Sequence, residues 1–381
     1  MKKVGIITMH KVWNAGSALQ AYALQQVVAN LGYDVELIDY VYPNREHTAY
    51  QQSNKEFSQQ SYWGLFKSFI SQVKAKWSAK DPMALYYKFY AEQFNDSAVC
   101  YQSRKSLLEN PPICDIYVTG SNQVWNPNYI GFDTNFFLAF APASAKRISY
   151  ASSFSVSSVP AYLREIYASE LNNYSHLSVR EASGKALVKE LTGKEAEVCL
   201  DPTLLLDRKS WLKLADASSI RIDEPYLLVY IMGYAYSPYP DIYRHIEAVN
   251  KELNLPIVWL NGVEGHYHIK FRKKQISLTG PYEFLYLFAN AAFVVTDSFH
   301  GTAFSLNMER EFISVVKSLE GSDSRMMNLL RSVGASSRAR VCKEAVHEEE
   351  AQPKVNYEQV RENLVQLRKQ SIEYLECALK E

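Results

Sequence analysis

The stretch AAFVVTDSFHGTAFSLNMEREFISVV, residues 291–316, decides the fold class. Ala292 to Thr296 is a short apolar, β-branched run of the kind that lies in a parallel sheet buried on both faces. Thr302 to Met308 has helical composition, and Glu311 to Val316 reads as the next buried strand. Asp297 to Gly301 is then a strand-to-helix turn. In open α/β sheets such turns lie at the carboxyl ends of strands, where ligands bind, and the following helix offers free N–H groups and a positive dipole end to an anion. His300 sits in that turn and is a candidate acid or base, set against the plainer reading of a satisfied structural histidine. Asp297 has two readings, as a group that orients His300 and as a cap on the helix.

The same alternation runs through the chain. Val4–Thr8 reads as a strand, Ser17–Asn30 as a helix and Val35–Tyr40 as a strand. Strands follow at Ile116–Thr119, Arg147–Ala151, Leu177–Val179 and Glu197–Leu200, with helices over Tyr162–Leu171 and Gly184–Leu191. A second series starts near Glu224 with YLLVYIMG, DIYRHIEAVNKEL and PIVWLNG, and Pro281 opens the helix before the quoted strand. The expectation is an α/β fold of two Rossmann-like domains facing a cleft, spanning 1–215 and 224–350. The polar segment Leu212–Asp223 is the expected linker. A final amphipathic helix, within 355–381, carries Val360, Leu364, Leu367, Ile372 and Leu375 and can pack back on the first domain.

Composition narrows the function. The chain has 381 residues, 47% of them hydrophobic, enough for a large core. Lys+Arg and Asp+Glu each count 41, so no global basic field points to nucleic acid and an anion must be bound by a local cluster. Five scattered cysteines without a C-x-x-C pair argue for a reducing compartment and against zinc. His266 and His268 have no partners at metal spacing and read as surface residues, and Arg272, Lys273 and Lys274 as a basic loop. The loop HKVWNAGS, residues 10–17, could offer N–H groups to a ligand but lacks G-x-G-x-x-G, so Asp39 is weak support for a dinucleotide cofactor. The basic start is broken too early for a signal peptide, and no run is long enough to cross a bilayer; the expectation is a cytoplasmic protein. SYWGLFKSFISQVKAKWSAK, residues 61–80, reads as a basic amphipathic helix, either packed on the first domain or in reversible contact with the inner face of the membrane.

Seven segments occur in a telling order: NAGSALQAYAL (14–24), GSNQVWNP (120–127), ISYASSFSVSSVP (148–160), LSVREASGKALVKELTG (177–193), LDPTLLLDRKSW (200–211), VVTDSFHGTAFSLNMEREFISV (294–315) and SRMMNLLRSVG (324–334). Together they resemble the polysaccharide pyruvyl transferases, a family similar to two-domain glycosyltransferases of the GT-B type. The resemblance implies transfer of the enolpyruvyl group of phosphoenolpyruvate onto two hydroxyls of a surface polysaccharide or its precursor, as a ketal, with release of phosphate. No cofactor is implied beyond the donor substrate, and the acceptor is a saccharide, lipid-linked or free.

The resemblance also implies roles. His300 becomes the acid/base or phosphate-stabilising group, and Arg180, at a strand end, a guanidinium for the donor's anionic groups. Arg325 is a second guanidinium candidate. Ser298, Gly301, Asn14, Gly16, Ser121 and Asn122 are candidate substrate contacts. Trp125 and Asn126 could stack on and hydrogen-bond a sugar, with a core position the competing reading for Trp125. Asp201-Pro202 reads as a strand end at the domain junction. Many members carry Arg where this chain has Ser298 and Asp where it has Asn122. Two rival functions remain, a GT-B glycosyltransferase using a sugar nucleotide and a non-catalytic glycan-binding relative.

Overall fold

The apolar runs form two parallel sheets, seen in a computed structural model that describes residues 1–41, 82–128, 133–233, 235–260, 273–276, 279–320, 325–347 and 349–380. The 61–80 segment, His266, His268 and Arg272 lie outside the described residues. The first half contains β1 (Lys3–Ile7), α1 (Ala15–Asn30), β2 (Asp34–Leu37), α2 (Pro82–Gln93), α3 (Arg104–Glu109), β3 (Ile116–Thr119) and β4 (Lys146–Ser149). It continues with α4 (Arg164–Asn172), β5 (Ser178–Val179), α5 (Ala182–Thr192), β6 (Glu197–Val198) and α6 (Arg208–Ala215). The second half contains β7 (Leu227–Tyr230), α7 (Ile242–Leu253), β8 (Ile257–Leu260), β9 (Lys273–Ile276), α8 (Pro281–Asn290) and β10 (Phe293–Thr296). It ends with α9 (Phe299–Asn307), β11 (Glu311–Val316), α10 (Arg325–Ser332), β12 (Ala339–Val341) and α11 (Tyr357–Lys380).

The first sheet has the order β2-β1-β3-β4 and the second β12-β11-β10-β7-β8-β9, all neighbours parallel. β5 and β6 pair in parallel beyond β4, joined to it through bridges at Ile148–His176 and Ser152–Val179. Strand order reverses between β1 and β3 in one sheet and between β7 and β10 in the other. Crevices open at the carboxyl ends of strands at such points.

The central strands are buried along their length, as their unbroken apolar runs require. One core cluster crosses both halves, running from Val4 and Leu24 through Trp211 to Leu228 and Phe304. Tyr22 meets Trp211, and Trp211 meets Phe304 edge to face, so α1, α6 and α9 share packing. The expected linker is therefore not a loose segment. Leu212 to Ala215 complete α6, and Ser219 donates from both its N–H and its hydroxyl to Glu283 at the start of α8. The basic loop is also corrected, because Lys273 and Lys274 begin β9.

The last helix returns to the first sheet. On α11 the Tyr374 hydroxyl donates to the Ser149 carbonyl, the Ser371 hydroxyl accepts from the Leu200 N–H, and Arg368 donates to the Leu204 carbonyl and the Asn307 side chain. Among the described residues no helix is long and apolar enough to cross a membrane. We predict that Arg368→Met, which keeps the stem but leaves the Leu204 carbonyl and Asn307 amide oxygen unpaired, lowers unfolding free energy by about 1–3 kcal/mol; a urea midpoint equal to that of the unaltered chain would refute this.

Candidate active site

Asp201 is the buried centre of the site. It follows β6 and caps the short turn Pro202–Leu204, with Oδ1 accepting from the Thr203 N–H at 3.0 Å and the Thr203 hydroxyl at 2.7 Å. Oδ2 lies 2.9 Å from a terminal nitrogen of Arg180 and 3.3 Å from the Ser121 hydroxyl. That hydroxyl also accepts from Arg180, and the Ser121 carbonyl accepts from Thr8. Burial alone would raise the Asp201 pKa, but the Arg180 charge and then His300 outweigh it and hold the carboxyl well below the usual carboxylate range. The group is an anion at neutral pH.

Arg180 extends from the end of β5 with its side chain 2% exposed. One terminal nitrogen is spent on Asp201 and Ser121. Its Nε and other terminal nitrogen are buried without a hydrogen-bond partner among the described residues.

His300 reaches this pair from the second sheet. α9 begins earlier than composition suggests, at Phe299, because Ser298 caps it by accepting the Gly301 N–H at 3.4 Å. His300 therefore lies in the first helical turn rather than in a loop. Its Nε2 is 3.7 Å from Asp201 Oδ2, too long for a hydrogen bond, and is buried without a partner. Burial lowers the His300 pKa, the Arg180 and Arg325 charges push the same way, and Asp201 opposes them without prevailing. The resting imidazole is neutral.

Two close approaches fix the ring. A Cβ at Gly16, in the first turn of α1, would lie 2.2 Å from His300 Nδ1, so the N-terminus of α1 reaches the imidazole only because Gly16 lacks a side chain. A Cβ at Gly301 would lie 2.3 Å from the Thr296 hydroxyl, so α9 leaves β10 at a distance that excludes any larger residue. Two helix N-termini thus converge on His300, and both favour negative charge there.

The remaining candidates divide. Ser121, Arg180, Asp201 and His300 form one constellation, and Arg325 joins it through Phe299, whose ring lies 5.7 Å from the Arg325 guanidinium carbon. Asn14 caps α1 by accepting the Ser17 N–H, and Asn122, at φ 85°, donates to the Ser17 hydroxyl; both shape the α1 entry. Gly16 and Gly301 are packing positions, and the Ser298 hydroxyl is engaged in the cap. Trp125 is corrected outright: it is 0% exposed, stacked on Phe137, with its indole N–H donating to the Phe136 carbonyl, so it cannot stack on a sugar. Asn126 is tied into its own turn through Gln123 and the Asn128 N–H. Asp297 neither orients His300 nor caps α9. Its two oxygens accept the Met232 and Gly233 N–H groups at 2.6 and 2.8 Å, tying the loop after β7 to the end of β10. Asp39 pairs with Lys11 at 2.7 Å.

Sequence reasoning missed Asp201 and Phe299. Asp201 sits at a strand's carboxyl end, as Arg180 does, and that shared position was the available signal.

The family model for polysaccharide pyruvyl transferase matches residues 14–317, most of the chain. The chain belongs to that family. The match takes in Asn14, Ser121, Arg180, Asp201 and His300; Arg325 lies beyond it. No curated protein matches the sequence. Similar solved structures include UDP-GlcNAc 2-epimerase from Methanocaldococcus jannaschii, 13% identical, covering 95% of this chain and 92% of that one, TM-score 0.49. UDP-GlcNAc 2-epimerase from Neisseria meningitidis is 10% identical over 99% and 94% of the two chains, TM-score 0.46. UGT89C1 from Arabidopsis thaliana is 11% identical over 98% and 94%, TM-score 0.47.

The depressed His300 pKa has a consequence for stability. Below the unfolded value of 6.5 the unfolded chain takes up a proton that the folded site resists, so stability is full above that pH and falls as pH drops toward the folded pKa. We predict that His300→Gln flattens the stability–pH curve in the range below about pH 6.5. Parallel curves for the two proteins in thermal unfolding across that range would contradict the neutral-imidazole assignment.

Proposed function

We propose that this pyruvyl transferase moves the enolpyruvyl group of phosphoenolpyruvate onto two hydroxyls of a saccharide, forming a ketal and releasing phosphate. One observation carries the reading: the Nε and a terminal nitrogen of Arg180, and Nε2 of His300, are buried and unpartnered around a single carboxylate. The Arg180 donors left this way are costly, and an anionic ligand that accepts from them removes the cost, while Nε2 of the neutral His300 is left to accept a proton. Carboxylate and phosphate oxygens both accept charge-assisted hydrogen bonds from guanidinium nitrogens of this kind.

The chemistry assigns work to each group. The donor's methylene carbon must gain a proton as a sugar hydroxyl adds to the neighbouring carbon and loses its own. A second hydroxyl then adds to the same carbon, and its proton leaves with the phosphate. The net reaction needs no added proton, only a shuttle. His300 suits that role because its resting form is neutral and accepts a proton, while the Asp201 anion stabilises the imidazolium once formed. A phosphate dianion beside His300 adds to the negative charge of Asp201, and so strengthens the imidazole's hold on the proton during the reaction.

Two substitutions test the roles, with phosphate release from phosphoenolpyruvate in the presence of saccharide as the measurement. His300→Ala is expected to lower the rate about a hundredfold or more at unchanged circular dichroism. A loss below about tenfold removes His300 from proton transfer. Arg180→Lys is expected to weaken phosphoenolpyruvate binding by calorimetry, since one ammonium cannot keep Asp201 paired and also present separate donors where Nε and the other terminal nitrogen stand. Unchanged affinity would make Arg180 a structural partner of Asp201 alone. Thermal shift with phosphoenolpyruvate against UDP-sugars separates this reading from sugar-nucleotide transfer, because the true donor stabilises the folded state.

A further inference from the structure

Phe299 meets two positive charges from opposite halves of the chain. It is the first residue of α9 and is 8% exposed. Its ring centroid lies 4.9 Å from the guanidinium carbon of Arg180 and 5.7 Å from that of Arg325. The ring also meets His300 edge to face, with centroids 5.3 Å apart at 81°. Both arginine distances fall within the range, about 6 Å, at which an aromatic ring attracts a cation. Arg180 follows β5 and Arg325 opens α10, so the ring is a common reference point for groups positioned by different elements.

We propose that Phe299 is a positioning residue that spaces Arg180 and Arg325 around one small-ligand site, so that the site selects a ligand carrying two separate anionic groups. The proposal takes the identity of that ligand from the donor reading above. The charged groups that act on His300 are Asp201, Arg180 and Arg325, one carboxylate against two guanidiniums. Asp201 engages a single nitrogen of Arg180. A neutral aliphatic side chain of similar volume would separate the two like charges without attracting either; an aromatic ring attracts both through its negatively polarised π system. Position 298 supplies no charge, its hydroxyl being held in the helix cap, so the second cation comes from α10.

The test uses phosphoglycolate, which carries a carboxylate and a phosphate, against inorganic phosphate, titrated by calorimetry into the full chain. The unaltered protein is expected to bind phosphoglycolate at least about tenfold tighter than phosphate. Phe299→Leu and Arg325→Met are each expected to reduce that preference about three- to thirtyfold, and the double variant to lose no more than the worse single one. Phe299→Tyr, which keeps the ring, is expected to retain it. The proposal fails if Phe299→Leu keeps the full preference, or if the two losses simply add. Should Phe299→Leu not fold, an undiminished preference in Arg325→Met alone overturns the proposal, and a lost one supports it. The donor reading is judged separately. If phosphoglycolate selectivity behaves as stated but no saccharide accepts a group from phosphoenolpyruvate, the two-arginine site stands and the transfer reading falls. If transfer proceeds while Phe299→Leu retains full selectivity, the reverse holds.

Discussion

Asp201 is a carboxylate with no access to water, and the placement of everything around the site follows from keeping it ionised. Taking a carboxylate out of water costs several kcal/mol, which the Thr203 N–H and hydroxyl, the Ser121 hydroxyl and Arg180 must offset together. All four come from the first half of the chain, so that half can hold the anion by itself. A buried pair of this kind contributes little net stability compared with apolar residues of the same volume, while losing one partner costs about 3–5 kcal/mol. What the pair supplies is geometry. It fixes one nitrogen of Arg180 and thereby directs the other donors of the same rigid fork.

The second half adds the group that titrates. His300 is brought to the anion by two backbone approaches that only glycine permits, Gly16 against the ring itself and Gly301 against Thr296. The approach through Gly16 seats the first turn of α1 on the imidazole, and the approach through Gly301 seats α9 on β10. Each lies beside the point where its sheet reverses strand order. The two crevices that the topology opens are thus merged into one site, and the shared apolar core through Trp211 and Phe304 holds the sheets in that relation. Burial and the two guanidiniums keep the ring neutral although a carboxylate lies 3.7 Å away.

Much of this was legible in the sequence because central strands of parallel sheets read as unbroken apolar runs. β3 was placed to the residue and β10 to within one, and Arg180 and His300 were visible as polar residues closing such runs. The differences arose where a single side-chain contact, near or distant in sequence, decides what composition leaves open. α9 started early because a serine hydroxyl, not helical composition, sets its first turn. Trp125 kept both its core and its sugar-stacking reading because nothing local shows that Phe137 covers it, and the core reading is the one found. The polar residues of Leu212–Asp223 likewise hide the contact of Ser219 with Glu283. Asp201 was passed over because Asp-Pro is so often a turn; only the arrival of Arg180, 21 positions upstream in the numbering of the chain, makes it a charged centre.

The resting site has its proton acceptor uncharged and its guanidinium donors unfilled, and these two conditions are linked. If His300 were protonated at rest, it would pair with Asp201 and compete with Arg180 for the same oxygen, loosening the fork that is to receive the donor. Held neutral, it leaves the Arg180–Asp201 pair intact and can take a proton when a hydroxyl attacks. On the proposed chemistry the incoming phosphate changes the balance, because a dianion near Nε2 offsets the two guanidiniums that depress the imidazole's pKa. Proton affinity then rises only when the donor is bound. On that chemistry the site gains its acid/base group from its own substrate: the negative charge that makes the imidazole basic arrives together with the methylene carbon that the proton is to reach.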